Sequence, residues 1–197
     1  MRLGVLGGSF DPPHVGHLLA ASDAFEELAL DRLVFVPAAA QPLKAARFVA
    51  SPQHRLAMVH LAVDGDPRFS VSAIEIDRGG LSYTVDTLAA FAERYPNAER
   101  VFLVGADAFA TLAHWREPAR IARLARLAVM GRVGVEIAPP PAGVPASAVI
   151  PLQTRRVDVS STEIRERVRL GKPLRGFVTE AVADFITTAG LYRQGTA

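Results

Sequence analysis

This chain is expected to fold as an α/β protein, a Rossmann-like doubly wound parallel sheet with a short C-terminal helical region. Three observations predict it. Short apolar runs alternate with amphipathic helical patterns, which places a helix between successive parallel strands. The runs are almost unbroken Val, Leu and Phe, as in strands buried on both faces. The 197 residues, 50% hydrophobic and 21% charged, suit one globular domain over 1–197, with 160–197 as a helical appendage.

The elements follow in order. Leu3 to Leu6 is a strand near the sheet centre, stopped by Gly7-Gly8. Leu18, Ala21, Phe25 and Leu28 fall at helical spacing after Gly16. Leu33 to Val36 is the next strand, ended by Pro37. Ser51-Pro52 opens a helix, Ser as cap and Pro in the first turn, with Leu56, Val59 and Val63 continuing it. Phe69 to Ile76 reads as a strand. Thr84 is placed to cap a helix with Val85, Leu88, Ala92 and Tyr95 on one face, closed by Pro96. Val101 to Val104 is a buried strand ahead of Gly105, and Ala128–Met130 and Ala148–Leu152 are weaker strands flanking a Pro-rich surface loop. Arg120, Arg123 and Arg126 read as a solvated stripe. Ser160 and Glu163 have capping-box spacing, and a last helix runs from about Thr179 to Ala189 with Gly190 as its stop.

Composition excludes several function classes. Lys plus Arg is 22 and Asp plus Glu is 20, a net charge of +2, so the chain lacks the basic excess of a nucleic-acid binder. With no cysteine, disulfides, thiolate metal sites and Cys nucleophiles are out, and a reducing cytoplasm fits. The longest charge-free tract, 137–154, contains five prolines and cannot span a membrane. The first ten residues lack the run of a signal peptide. A cytoplasmic protein is expected, with a homo-oligomer left open.

Ligands of such sheets bind beyond the carboxyl ends of the strands. The loop after the first strand, Gly7-Gly8-Ser9-Phe10-Asp11-Pro12-Pro13-His14-Val15-Gly16-His17, is the most informative part of the chain. Two glycines allow close backbone approach, and the helix start behind them offers free N–H groups and a positive dipole end. That suits phosphate. No Gly-Lys-Ser/Thr follows, so this is not a P-loop. His14 and His17 share one face, with Gly16 leaving room for a phosphoryl group, and two imidazoles there can donate to oxygens gaining charge. Ser161, Thr162 and Arg165 make a second anion-binding helix start, read alone equally well as an ordinary cap with a solvated Arg. Read alone, Asp107 caps a helix, Trp115 fills the core and Lys44 is solvated. No metal-ligand triad is spaced in the sequence.

The first string resembles GGxFDPxHxGH of the bacterial nicotinate-nucleotide adenylyltransferases, within the HxGH nucleotidyltransferases. Ser82-Tyr83-Thr84 with Asp86-Thr87-Leu88 resembles their SYTxDTL segment. Gly105-Ala106-Asp107 with Trp115 resembles GxD…W, and Val159-Ser160-Ser161-Thr162-Glu163-Ile164-Arg165 resembles (I/V)SSTxIR. The four come in the family's order along nearly the whole chain. Leu43 stands where the family often has His.

The resemblance implies adenylyl transfer from ATP, with Mg²⁺, to nicotinate mononucleotide, giving deamido-NAD and pyrophosphate. His14 and His17 would be catalytic. Gly7, Gly8, Ser9, Phe10, Gly16, Gly105, Asp107, Ser161, Thr162 and Arg165 would bind ATP. Lys44, Tyr83, Thr84 and Trp115 would bind the mononucleotide. Other acceptors (nicotinamide mononucleotide, phosphopantetheine) and a non-catalytic nucleotide sensor stay open as alternatives. No nucleic-acid or membrane partner is expected.

Overall fold

The computed structural model describes residues 1–41, 49–132, 137–155 and 157–193. Six parallel strands form one sheet in the order β3-β2-β1-β4-β5-β6. β1 (Arg2–Gly8) is central, between β2 (Arg32–Pro37) and β4 (Glu99–Gly105). β3 (Phe69–Val71) forms one edge, and β5 (Arg126–Arg132) and β6 (Val149–Thr154) complete the other side. The chain winds outward from β1 to β3, then returns to β4 on the opposite flank of β1. The strand order therefore reverses between β1 and β4, where such folds open a crevice at the strand ends.

Alternate residues of each strand feed two cores. Leu3, Val5, Val34, Val36, Phe102 and Val104 face α4 (Thr84–Arg94) and α6 (Pro118–Leu124), whose Leu88, Phe91 and Ile121 are buried with them. Leu6, Leu33, Phe35, Val101 and Leu103 pack with Ala21 and Ala24 of α1 (Val15–Glu27) and Val59 and Val63 of α2 (Pro52–Val63). Each such fully buried aliphatic chain contributes about 1.5–3 kcal/mol.

A third core lies away from the sheet. Met58 of α2 joins Ile164 of α7 (Ser161–Arg169), Val182 and Ile186 of α8 (Glu180–Thr188), and Tyr192. Helix α2 is thus shared between the sheet and residues 160–193. Ser51 caps α2 by accepting from the His54 N–H at 3.2 Å, and Thr179 caps α8.

Three local expectations are corrected. The run from Phe69 is a strand only to Val71, and Ile74–Arg78 form a short helix, α3. Short apolar runs carry too little periodicity to separate the two states. The cap of α4 is Tyr83, in extended conformation, and Thr84 is its first helical residue. Arg126 belongs to β5, where it pairs with Glu99, so the arginine stripe ends with α6. Among the described residues no helix is long and apolar enough to cross a membrane.

Candidate active site

The carboxyl ends of β1 and β4 lie side by side, with Leu6 paired to Leu103. Gly7-Gly8 and Gly105 therefore open the same crevice. A Cβ added at Gly105 would have no described neighbour within 4 Å, so that glycine faces open space. Asp107 follows in the first turn of α5 (Ala106–Phe109) and is exposed.

Past Gly8 the backbone is strained: Phe10 has φ +49°, a left-handed conformation rare for a residue with a side chain. Its ring is fully buried, 5.7 Å from Phe35 and edge-on to His17 at 5.0 Å. The Phe10 side chain is the floor beneath His17 and is closed to a nucleotide. Gly7, Gly8 and Ser9 remain at least partly exposed.

His14 is the N-cap of α1 and His17 its third residue. The two rings lie 3.7 Å apart, tilted by 33°. His17 Nδ1 accepts from the His14 backbone N–H at 3.2 Å, which puts the proton of the neutral His17 ring on Nε2. Burial pushes the His14 pKa down to about 4. Burial, aided by the neighbouring His14, holds His17 well below the usual histidine range. Both rings are neutral at pH 7. His14 Nδ1 is buried, and no described group hydrogen-bonds it. A Cβ on Gly16 would sit 3.0 Å from that nitrogen. The glycine makes room for the His14 ring.

The second helix start meets this loop. Ser160 caps α7, accepting from the Glu163 N–H at 3.1 Å. The Ser161 hydroxyl donates to the Pro12 carbonyl at 2.8 Å. Arg165 donates to the Asp11 carbonyl at 2.7 Å and to Thr162 Oγ1 at 3.1 Å. Two motifs about 150 residues apart are thereby joined. Ser161 and Arg165 already hold the loop, and Thr162 is exposed.

Tyr83 and Trp115 pack against the core on the α4 side of the sheet. The Trp115 indole is perpendicular to Phe102 at 6.1 Å and donates to Thr111 Oγ1 at 3.1 Å. The Arg116 guanidinium lies 4.9 Å from the centre of the Tyr83 ring and 3.5 Å from Asp86, linking the Trp115 segment to that of Tyr83 and Thr84. Lys44 lies outside the described residues. The described residues hold no cluster of three or more His, Cys, Asp or Glu side chains able to bind a metal.

Sequence reasoning missed a group of buried polar residues: Asp11, Arg55, Glu75 and Thr87. Thr87 donates to Glu75 at 2.6 Å. Burial raises the Glu75 pKa, opposed by hydrogen bonds from Thr87 and Ser82 and by the charges of Arg78 and Arg55. One signal was available. Arg55 precedes Met58 and Val59 by three and four residues, so it occupies the apolar stripe of its helix.

The parallel sheet thus reverses its order beside a histidine pair, which a second helix start meets there. Residues 5–167 match the family model described as cytidylyltransferase-like. A protein of Gemmatimonas aurantiaca named "Probable nicotinate-nucleotide adenylyltransferase" is 49% identical, over 98% of this chain and 93% of its own. One of the same name from Thermus thermophilus is 47% identical over 98% of this chain and all of its own. The chain therefore belongs to the cytidylyltransferase-like family and, within it, to the nicotinate-nucleotide adenylyltransferases. The fold is shared with the Plasmodium falciparum nicotinic acid mononucleotide adenylyltransferase in complex with NaAD, at TM-score 0.77, 17% identity and 97% coverage of both chains.

Proposed function

We propose that this chain transfers the adenylyl group of ATP to nicotinate mononucleotide, giving deamido-NAD and pyrophosphate. One observation carries the reading: the helix starts of α1 and α7 are tied together across Asp11-Pro12, beside the crevice between β1 and β4. Two converging sets of N–H groups and dipole ends suit a chain of phosphates. The names of relatives at 47–49% identity support the same substrates.

The mononucleotide phosphate attacks the α-phosphorus of ATP. A bond forms from its oxygen to that phosphorus, and the bond to the α–β bridging oxygen breaks. Pyrophosphate leaves with the electron pair. With a second pKa of about 6 the phosphate is already a nucleophile at pH 7, and no general base is required. The work left to the protein is to align two anions and to meet growing charge with donors.

His17 offers its Nε2–H for that purpose, and His14 lies beside it. Gly7, Gly8, Ser9 and the Phe10 backbone line the nucleotide site with Gly16, Gly105 and Asp107. Ser161, Thr162 and Arg165 take the β- and γ-phosphates. Tyr83, Thr84, Trp115 and Lys44 receive the mononucleotide, Trp115 by stacking on the pyridine ring. Mg²⁺ arrives with the ATP phosphates as part of the substrate. The whole chain, residues 1–197, works as one nucleotidyltransferase domain in the cytoplasm.

The test is pyrophosphate release with ATP and Mg²⁺, comparing nicotinate with nicotinamide mononucleotide. Release with the acid form alone supports the reaction and a carboxylate-reading pocket. Equal rates remove the selectivity, and silence with both removes the reaction.

A further inference from the structure

Arg55 has no exposed surface, yet it carries a charge that an aliphatic chain on the same stripe of α2 would not bring. Its guanidinium donates to three carbonyls from three places: Ser9 at 2.8 Å, Ala39 at 3.2 Å and Ala50 at 3.4 Å. Ser9 belongs to the phosphate loop, Ala39 to the loop after β2, and Ala50 to the approach to α2. Burial lowers its pKa, and the charges of Asp11 and Glu75 oppose that.

Asp11, also buried, reaches the same Ala50. Its carboxylate accepts from the Val49 N–H at 2.8 Å, the Ala50 N–H at 3.1 Å and the Tyr192 hydroxyl at 2.7 Å. Burial and the bond to Asp11 push the Tyr192 pKa up, so it stays a hydroxyl donor. Ala39 is held from its other side as well. Its N–H donates to Ser82 Oγ at 2.8 Å, and the Ser82 N–H donates to the Ala40 carbonyl at 2.8 Å. An unbroken path therefore runs from Ser9 through Arg55, Ala39 and Ser82 to Tyr83 and Thr84.

We propose that Arg55 is a positioning residue for adenylyl transfer. Joined through Ala50 to Asp11 and Tyr192, it fixes the separation between the phosphate loop and the Ser82–Thr84 acceptor segment. The inference rests on the proposed reaction for its kinetic meaning. A buried charged side chain is a poor device for stability alone, because apolar residues of like volume do as well. A planar fork reaching divergent acceptors is a good device for geometry, and a lysine ammonium cannot reproduce it. Misplacing reacting groups by a fraction of an ångström lowers turnover before it lowers affinity.

The test uses Arg55→Lys and Tyr192→Phe in the full-length protein, with ATP, Mg²⁺ and nicotinate mononucleotide. For Arg55→Lys, kcat is expected to fall about 30-fold while KM for ATP stays within about threefold. Tyr192→Phe is expected to lower kcat about threefold and to speed amide hydrogen exchange at Val49 and Ala50 about tenfold. A folded Arg55→Lys with wild-type kcat overturns the proposal. If that variant does not fold, Tyr192→Phe decides, and wild-type turnover with wild-type exchange overturns it. If the wild-type protein is silent with this acceptor, the proposed reaction fails on its own, and the exchange measurement still decides whether the network holds the α2 approach.

Discussion

The loop proposed to bind phosphate and the side proposed to receive the acceptor are built in opposite ways. The loop is one stretch, Gly7 to His17, shaped mostly by its own neighbours: Phe10 under His17, His17 bonded to the His14 amide, and Gly16 spaced for the His14 ring. The acceptor side is gathered from Ala39, Ser82–Thr84 and Trp115, which meet through Arg55, the Ser82 hydroxyl and Arg116. A local site concentrates its function in a few side chains, whereas a gathered site depends on the polar groups that hold its pieces. Substitutions in the first should change turnover with little effect on folding. Those in the second should change folding and acceptor binding together.

The sharpest test is His17→Ala. Removing one preorganised donor is expected to lower kcat by about 10²–10³-fold with little change in ATP affinity. Single-turnover and equilibrium-binding measurements check it, and an equal loss in both would place His17 outside the transition state. Next comes Thr87→Val, which removes one of the two hydroxyl donors, Thr87 and Ser82, from the buried Glu75 carboxyl. A destabilisation of about 1–3 kcal/mol in urea unfolding is expected, with weaker acceptor binding. Loss of neither would separate this pair from the acceptor side. Trp115→Ala is expected to raise KM for the mononucleotide about tenfold through lost stacking area, with KM for ATP unchanged. An unchanged acceptor KM would return Trp115 to the core alone.

The smallest effect concerns pH. The folded-state pKa of His14 lies near 4, below the 6.5 of a free histidine. Between these values the unfolded chain binds more protons, so this contribution is full above about pH 6.5 and is lost as pH falls toward 4. The Tm advantage of the wild type over His14→Gln should shrink by about 3 °C between pH 7.5 and 5. Parallel Tm profiles would show that the ring is not buried in the neutral form.

The same contrast explains what the sequence disclosed. The order of strands and helices was legible because buried strands are nearly uniform runs of Val, Leu and Phe, and helices carry period and caps, as at Ser51 and Ser160. The phosphate loop was legible because its residues adjoin. The roles of Arg55, Asp11, Glu75 and Tyr192 were not, because each meets partners many positions away, backbone atoms for Arg55 and Asp11 and side chains for Glu75 and Tyr192, which no spacing rule encodes. The run Phe69–Ile76 failed for a different reason: eight residues do not distinguish two strand turns from a strand followed by one helical turn.

The bond from Tyr192 to Asp11 spans 181 residues and ties the loop made early in synthesis to a side chain made much later. At roughly 5–20 residues per second a ribosome takes about ten to forty seconds to cover that interval. Throughout it the place of the Tyr192 hydroxyl on Asp11 must be taken by water or by transient partners. The phosphate loop of a nascent chain is therefore chemically complete but mechanically unfinished. Closure of this contact, the longest hydrogen bond in sequence separation among the described residues, supplies the last of the three donors to Asp11.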